Sequence, residues 1–198
     1  MTDVAAASDQ PSLSLSAVEP AAEPPVPKPD DDEVDDNEKD KEEEDAVGWM
    51  EKAALVAEKA LCLRAKCGTV IIKNGEIIGS GYNAPPLDDV AHQTCLDEDK
   101  SYGKPNYDRT CCMHAEWRAI LDALKNNGDK IKGSQLYFTR VNEKGETKRS
   151  GQPYCTVCSR FALDTGIADF ILWHDDGICV YPTDEYNRLS CKYIDSQK

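Results

Sequence analysis

The chain has 198 residues, 40% of them hydrophobic, which is enough for one domain of ordinary size. Its formal net charge of -14 is concentrated in residues 1–45, which carry 16 acidic and 3 basic side chains and leave a balance of -1 for the other 153 residues. The overall charge balance of this domain offers no basic footprint for long nucleic acid, which argues against such a partner. No apolar run approaches the length that crosses a bilayer, so we expect no membrane partner either.

All nine cysteines follow residue 45, at positions Cys62, Cys67, Cys95, Cys111, Cys112, Cys155, Cys158, Cys179 and Cys191. An odd number of cysteines in a chain of this length is a poor basis for a disulfide framework. The first 20 residues show neither a basic start followed by an apolar stretch nor an arginine-rich presequence. We therefore expect a reducing, cytoplasmic compartment.

Residues 1–45 consist largely of Ala, Ser, Pro, Asp and Glu, and residues 30–45 are almost continuously charged. A segment with so little apolar surface cannot offset the entropy lost when its backbone is ordered. We expect a disordered acidic tail over 1–45, which is either an interaction arm or a solubilising extension. One domain should follow over 46–198.

The domain opens with a helical pattern and then changes to strand periodicity. The helical stripe over 49–61 consists of Met50, Ala53, Ala54, Ala57 and Leu61. Two β-branched runs follow, over 68–72 and 76–80, with Asn74-Gly75 between them. Asn-Gly between two such runs predicts a tight β-hairpin.

After an irregular stretch over 84–112, helices and strands alternate. The predicted helices cover 113–127, 155–164 and 184–191, and the predicted strands cover 136–139, 169–173 and 178–181. The buried face of the 113–127 helix is predicted to be Trp117, Ile120, Leu121 and Leu124. This alternation predicts an α/β fold, a three-layer α/β/α domain with a central mixed sheet.

Two short motifs carry groups that bind metals. His114 and Glu116 lie at the start of one predicted helix, and Cys155 and Cys158 lie at the start of another. Cysteines at i and i+3 share a helix face, and a helix N-terminus favours the thiolate. One imidazole and two thiolates leave one position of a tetrahedral zinc ion open to water, as in a catalytic site. Glu116 is not needed as a ligand and is placed to accept a proton from that water.

Two other interpretations of these motifs remain open. A fourth ligand from the 84–112 stretch would close the metal site and make it purely structural. Cys155 and Cys158 could instead form a thioredoxin-like redox pair, although His114 and Glu116 would then have no explanation.

H-x-E at 114–116 followed by C-x-x-C at 155–158 resembles the zinc-dependent cytidine and deoxycytidylate deaminases. The stretch from Cys62 to Pro86, with Gly81-Tyr82-Asn83 near its end, is most similar to the deoxycytidylate type. The resemblance covers residues 47–175. It implies a cytidine-deaminase-like fold and Zn²⁺ bound by His114, Cys155 and Cys158.

The resemblance also implies a reaction and further partners. A zinc-bound hydroxide would attack C4 of a cytosine nucleotide or nucleoside, and Glu116 would shuttle the proton while ammonia leaves. Asn83 and Ala115 would contact this small-molecule substrate. Assembly into a homo-oligomer is implied by family analogy alone.

The sequence departs from the family at the pocket rather than at the metal. Tyr154 stands before Cys155 where the family has proline, the 140–152 loop is longer, and Trp117-Arg118 replaces smaller side chains. These departures leave two alternatives open: a deaminase acting on another base or on RNA or single-stranded DNA, and a catalytically silent, zinc-stabilised binding module.

The irregular stretch contains a second set of metal-binding residue types. These are His92, Cys95, Cys111 and Cys112. Some deoxycytidylate deaminases bind an additional zinc in this stretch, so the resemblance implies that these four residues could hold a second zinc here. Buried or free thiols are an equally good interpretation. Arg64, Lys66 and Arg109 are candidates for binding a substrate phosphate, and solvent-exposed cations are the simpler interpretation.

Overall fold

The computed structural model describes residues 36–93 and 112–196 of the chain. The helices in these ranges are α1 (Asp36–Ala57), α2 (Ala115–Asn127), α3 (Thr156–Asp164) and α4 (Thr183–Ser196). The strands are β1 (Lys66–Lys73), β2 (Glu76–Tyr82), β3 (Gln135–Val141), β4 (Thr147–Lys148), β5 (Asp169–His174) and β6 (Gly177–Pro182). No helix within the described ranges is both long and apolar enough to cross a membrane.

The six strands form one mixed sheet in the order β2-β1-β3-β5-β6, with β4 paired to the end of β3. Only the β3–β5 pair is parallel among these strands. Helix α1 packs on one face of the sheet through Met50 and Ala53, which contact Val70 and Ile72. Helices α2, α3 and α4 cover the other face. The predicted three-layer α/β/α architecture is confirmed.

The predicted hairpin is present as β1 and β2. Asn74 and Gly75 connect the strands with φ angles of 51° and 75°. Left-handed conformations at both central residues match the right-handed twist of the strands, which is why Asn-Gly is favoured there.

Helix α1 crosses the predicted domain boundary at residue 45, which stays a prediction. Helix α1 begins at Asp36, so the charged residues 36–45 are helical rather than disordered. Glu and Lys are good helix formers, and the turns that pack through Trp49 and Met50 provide the nucleus that short isolated helices lack. The helix also ends at Ala57, so Leu61 is outside it. Residues 1–35 lie outside the described part of the chain.

The buried face of α2 differs from the predicted one. Leu121 and Leu124 are 48% and 42% exposed, and alanines take the buried positions together with Ile120. The reason lies on β2, where a Cβ on Gly79 or Gly81 would come under 3.0 Å from the α2 backbone. Glycine in the strand lets the helix approach so closely that only small side chains fit between them.

Replacing Gly81 with alanine is therefore expected to destabilise the protein by about 1–3 kcal/mol, the usual cost of overpacking a core. The added Cβ would press on the Ala115 carbonyl and on Ala119 in the first turns of α2. Denaturant unfolding measures the change. Gly48→Ala is the control, because nothing lies within 4 Å of that position and alanine favours the helix interior. Equal stability of the two variants would contradict this account of the packing.

The 140–152 segment, described above as a long loop, is not irregular along its whole length. It contains β4, which pairs Lys148 with Arg140 and Thr147 with Val141. Since β5 pairs with β3 only from Gln135 to Tyr137, β4 continues the sheet beside the last residues of β3.

Candidate metal centre and active site

The first metal-binding residue of each motif lies directly before a helix. His114 is the N-cap of α2, and Cys155 is the N-cap of α3. Before α2, Met113 and Ala84 exchange two backbone hydrogen bonds of 2.8 and 3.3 Å, which fix the approach to His114. The Cys155 sulfur accepts a hydrogen bond from the backbone N–H of Cys158 at 3.3 Å. Each helix start thus presents its side chain in a defined direction.

The three predicted metal ligands lie together. His114 Nδ1 is 3.1 Å from the Cys158 sulfur and 3.5 Å from the Cys155 sulfur. All three ligand atoms lie within 4.8 Å of one another, and they form the one such group among the described residues. Zinc ligands at ~2.0–2.3 Å in tetrahedral geometry are separated by about 3.5 Å, so this donor set fits zinc.

The sulfur atoms of Cys155 and Cys158 are paired with each other as a disulfide. Zinc binds thiolates, so only the reduced pair can supply two ligands. Because His114 Nδ1 contacts both sulfur atoms, the cluster contains a third donor that a simple redox pair does not require.

Glu116 lies in the first turn of α2 and is only 5% exposed. Burial raises the pKa of its carboxyl above the ordinary value, while His114 and Arg140 act in the opposite direction. A buried carboxyl beside the cluster is not explained by folding alone, since removing its charge from water is unfavourable. A raised pKa is the property expected of a group that takes up and returns a proton.

The chain matches the family model described as the cytidine and deoxycytidylate deaminase zinc-binding region, over residues 43–173. That match covers more than half of the 198 residues. The chain belongs to the cytidine and deoxycytidylate deaminase family.

Individual members of the deaminase family give the same picture. The deoxycytidylate deaminase of Saccharomyces cerevisiae is 26% identical over 132 residues, which are 62% of this chain and 35% of that protein. The deoxycytidylate deaminase of Mycobacterium phage D29 is 28% identical over 124 residues, 58% of this chain and 83% of that protein. The chain thus aligns with about a third of the length of its yeast relative.

Among solved structures, the dCMP deaminase of cyanophage S-TIM5 in complex with dCMP and dUMP is 28% identical to this chain. The alignment covers 64% of this chain and 79% of the phage chain, with a TM-score of 0.46.

The metal of this deaminase domain is zinc. The family's zinc-binding region includes His114, Cys155 and Cys158, and the structure brings these three residues together. No fourth ligand joins them among the residues 36–93 and 112–196, and three such donors leave one position of a tetrahedral zinc ion for water.

Asn83, which was predicted to contact the substrate, forms side-chain hydrogen bonds to the backbone. Both polar atoms of its side chain are bonded to the backbone: Oδ1 accepts from Cys67 N–H at 2.8 Å, and Nδ2 donates to the Ala65 carbonyl at 2.7 Å. Asn83 therefore fixes the segment that precedes β1. Ala115 is fully buried in the first turn of α2. Contact of either residue with a substrate remains a prediction.

The second predicted metal site also remains a prediction. Cys95 and Cys111 lie outside the described residues. His92 lies in an exposed 3₁₀ turn, with its Nε2 atom 3.9 Å from Asp89, and Cys112 is buried.

Two residues next to the deaminase site, Arg140 and Tyr154, were not predicted from the sequence to be functional. The Arg140 guanidinium donates a hydrogen bond to the hydroxyl of Tyr154, the residue that replaces the family's proline. Arg140 also interacts electrostatically with Glu116 and Cys67, and burial raises the pKa of the Cys67 thiol to about 12. The unusual Tyr154 could have drawn attention, but its partner is 14 residues away and has no motif.

The bulky pair after Glu116 also has a structural role. The Trp117 ring stacks on the His114 imidazole, with centroids 4.6 Å apart and planes 11° from parallel. Arg118 forms an ion pair with Asp88 at 2.8 Å and donates to the Pro85 carbonyl at 2.9 Å. The two side chains hold the imidazole and attach the segment after β2 to α2.

Replacing Trp117 with alanine is expected to weaken zinc binding by about tenfold, the lower end of what loss of a supporting contact to a metal ligand costs. The imidazole would lose the ring that fixes its orientation. Competition with a chromophoric chelator measures the affinity. Trp117→Phe keeps an aromatic ring and should restore most of the affinity. Wild-type affinity in the alanine variant would show that the stack does not position His114.

Proposed function

We propose that this domain deaminates a cytosine nucleotide hydrolytically, giving the uracil product and ammonia. The observation that carries the proposal is the buried carboxyl of Glu116 two residues after His114, beside an assembled His/Cys/Cys cluster. A metal site that only stabilised the fold would have no use for that carboxyl. The relatives named deoxycytidylate deaminase support a nucleotide as the substrate class.

His114, Cys155 and Cys158 would hold the zinc ion, which would supply an activated water for the reaction. Glu116 accepts the proton of that water and delivers it to ring N3, while the oxygen adds to C4. Glu116 then takes the remaining proton from the hydroxyl group formed on C4 and delivers it to the amino group on the same carbon. The C4–N bond breaks, ammonia leaves, and the ring carries a carbonyl in place of the amino group. Water and cytosine are consumed, and uracil and ammonia are formed.

The environment of Glu116 suits this cycle. Burial raises the pKa of its carboxyl above the ordinary value, and His114 and then Arg140 oppose that shift. His114 is held by Trp117, and Cys155 and Cys158 are held by the first turn of α3.

A substrate screen on the reduced, zinc-loaded chain tests the proposal. Ammonia release is measured with cytidine, deoxycytidine, their monophosphates, cytosine, guanine and adenosine, and with cytosine in a single-stranded oligonucleotide. The deoxycytidine and cytidine monophosphates are expected to react fastest. A faster reaction of another base or of the oligonucleotide would replace this substrate class. No ammonia from any compound would favour the silent binding module.

A further inference from the structure

Helix α4 lies after the region that the family model matches, because that match ends at residue 173 and α4 begins at Thr183. The sheet holds the start of this helix. Strand β6, which leads into α4, pairs with β5 along its whole length. The backbone N–H of Thr183 donates to the Ala168 carbonyl at 2.8 Å. The buried Tyr186 ring stacks on Phe170, with the ring centroids 3.9 Å apart. Helix α4 is thus fixed to the sheet independently of α3.

From this position α4 contacts the chain directly after the two metal-binding cysteines. The hydroxyl of Ser159, the residue after Cys158, donates a hydrogen bond to Asn187 Oδ1 at 2.9 Å. Ser159 is fully buried, and its backbone N–H donates to the Cys155 carbonyl at 3.0 Å. The hydrogen bond from α4 therefore acts on a residue that is joined to both cysteines.

Helix α4 also contacts the chain directly before the cysteines. The rings of Tyr154 and Tyr193 meet edge to face, with centroids 6.3 Å apart and planes at 61°. This separation lies in the range in which aromatic pairs attract each other. The Tyr154 hydroxyl accepts a hydrogen bond from Arg140, so the side chain is held at both ends. A proline at position 154 could not form this aromatic pair, so the contact depends on the tyrosine that this chain carries there.

We propose that α4 is a positioning element of the zinc centre, and that Asn187 and Tyr193 are its positioning residues. Their two contacts lie on either side of the turn from Cys155 to Cys158 and limit the movement of both sulfur atoms. Two thiolates repel each other until a metal ion neutralises them, so a loosely held turn would let them separate. Ligands that are already held in place bind a metal more tightly, because less order has to be imposed on binding. The inference concerns the metal and does not depend on which base is deaminated.

The hydrogen bond to Asn187 can be removed without leaving a buried donor unpaired. The Ser159 hydroxyl also lies 3.1 Å from the Thr156 carbonyl inside α3, and that carbonyl can accept its proton. Replacing Asn187 with alanine should therefore release α3 from α4 without the larger penalty of an unsatisfied buried hydroxyl. A change in zinc affinity can then be assigned to positioning.

The test measures the zinc affinity of the full-length, reduced chain by competition with a chromophoric chelator, so it does not depend on turnover. Asn187→Ala and Tyr193→Ala are each expected to weaken zinc binding by about tenfold, the lower end of what a lost supporting contact costs. Asn126→Ala is the first control, because Asn126 is exposed on α2 and its side chain donates to Asp122 at 2.7 Å. Tyr193→Phe, which keeps the ring, is the second control. Both controls should bind zinc as the wild type does.

Two further measurements separate positioning from a general loss of stability. The double variant Ser159→Ala/Asn187→Ala should bind zinc no more weakly than Asn187→Ala, because both substitutions remove the same hydrogen bond. With cobalt(II) in place of zinc, the visible absorption spectrum reports the arrangement of the ligands. That spectrum should change in Asn187→Ala and in Tyr193→Ala and stay the same in the two controls. Tyr193 is partly exposed, so Tyr193→Ala decides the inference if Asn187→Ala does not fold.

Three results would overturn the inference. The first is wild-type zinc affinity in either alanine variant of α4, or an equal loss in Asn126→Ala. The second is a further loss of affinity in the double variant, because Ser159 and Asn187 would then act separately. The third is a weakened affinity with an unchanged cobalt spectrum, which would mean that the domain has lost stability while its ligands keep their arrangement. Failure of the wild type to release ammonia from any cytosine compound would refute the proposed function alone, since zinc affinity is measured without a substrate.

Discussion

Replacing Glu116 with glutamine should lower the rate of ammonia release by about 10²–10⁴-fold, the usual contribution of a positioned acid–base group. Zinc content should stay near that of the wild type, because His114, Cys155 and Cys158 complete the protein ligand set without Glu116. Glutamine has the size of glutamate and cannot carry the proton. The measurement pairs an ammonia assay with metal analysis of the same sample.

Glu51→Gln is the matched control, because Glu51 is exposed on α1 and its replacement removes the same charge from the protein. Its rate should equal that of the wild type. Unchanged turnover in the Glu116 variant would eliminate the proposed proton transfer. Loss of zinc together with activity would mean that Glu116 supports the metal and not the chemistry.

Replacing Cys158 with serine should reduce zinc affinity by at least about a hundredfold, because a lost ligand costs more than the 10–100-fold seen for a lost supporting contact. Cys158 is fully buried and contacts the His114 imidazole, so no water can take its place without rearrangement. Metal binding in such sites is coupled to folding. Under reducing conditions, a chelator should therefore lower the Tm of the wild type and leave the Tm of the variant almost unchanged.

Cys179→Ser is the control for the loss of a thiol, because Cys179 lies on β6 outside the cluster. It should keep the zinc content and the chelator response of the wild type. A Cys158 variant that still responds to the chelator would place the metal elsewhere in the chain.

The metal ligands could be predicted because each motif is local. His114 and Glu116 are two residues apart, and Cys155 and Cys158 are three apart, so helix geometry alone brings each pair together. The roles of Arg140 and Tyr154 were not predictable in the same way, since their contact depends on how β3, β4 and the start of α3 are arranged in space.

The buried face of α2 shows a second reason why the sequence pattern alone did not predict the structure. Large side chains at Leu121 and Leu124 indicated the core, but the helix turns its alanines inward because Gly79 and Gly81 bring β2 close to it. Periodicity identifies a helix, whereas the residue on the opposite strand decides which face is buried.

The formal net charge did not predict the cleft that lies between the segment before β1 and the β3–β4 hairpin. Six lysine and arginine side chains line this cleft. A domain balance near zero is an average over its surface, and it says nothing about where like charges meet. Lys66 and the β3–β4 hairpin are far apart in sequence, and the pairing of Lys66 with Val141 brings them together. Arg64 and Lys66, two of the candidates for phosphate binding, line the cleft, and Arg109 lies outside the described residues.

The position of the metal ligands along the chain has a consequence for the order of folding. The β1–β2 hairpin forms from neighbouring residues, but His114 and Cys158 are 44 residues apart, with β3 between them. Closing so long a loop is slow and entropically unfavourable until the parallel β3–β5 pair and the flanking helices hold its ends together. Zinc binding is therefore expected late in folding. On unfolding, release of the zinc ion should coincide with the separation of strands β2, β1 and β3 from strands β5 and β6.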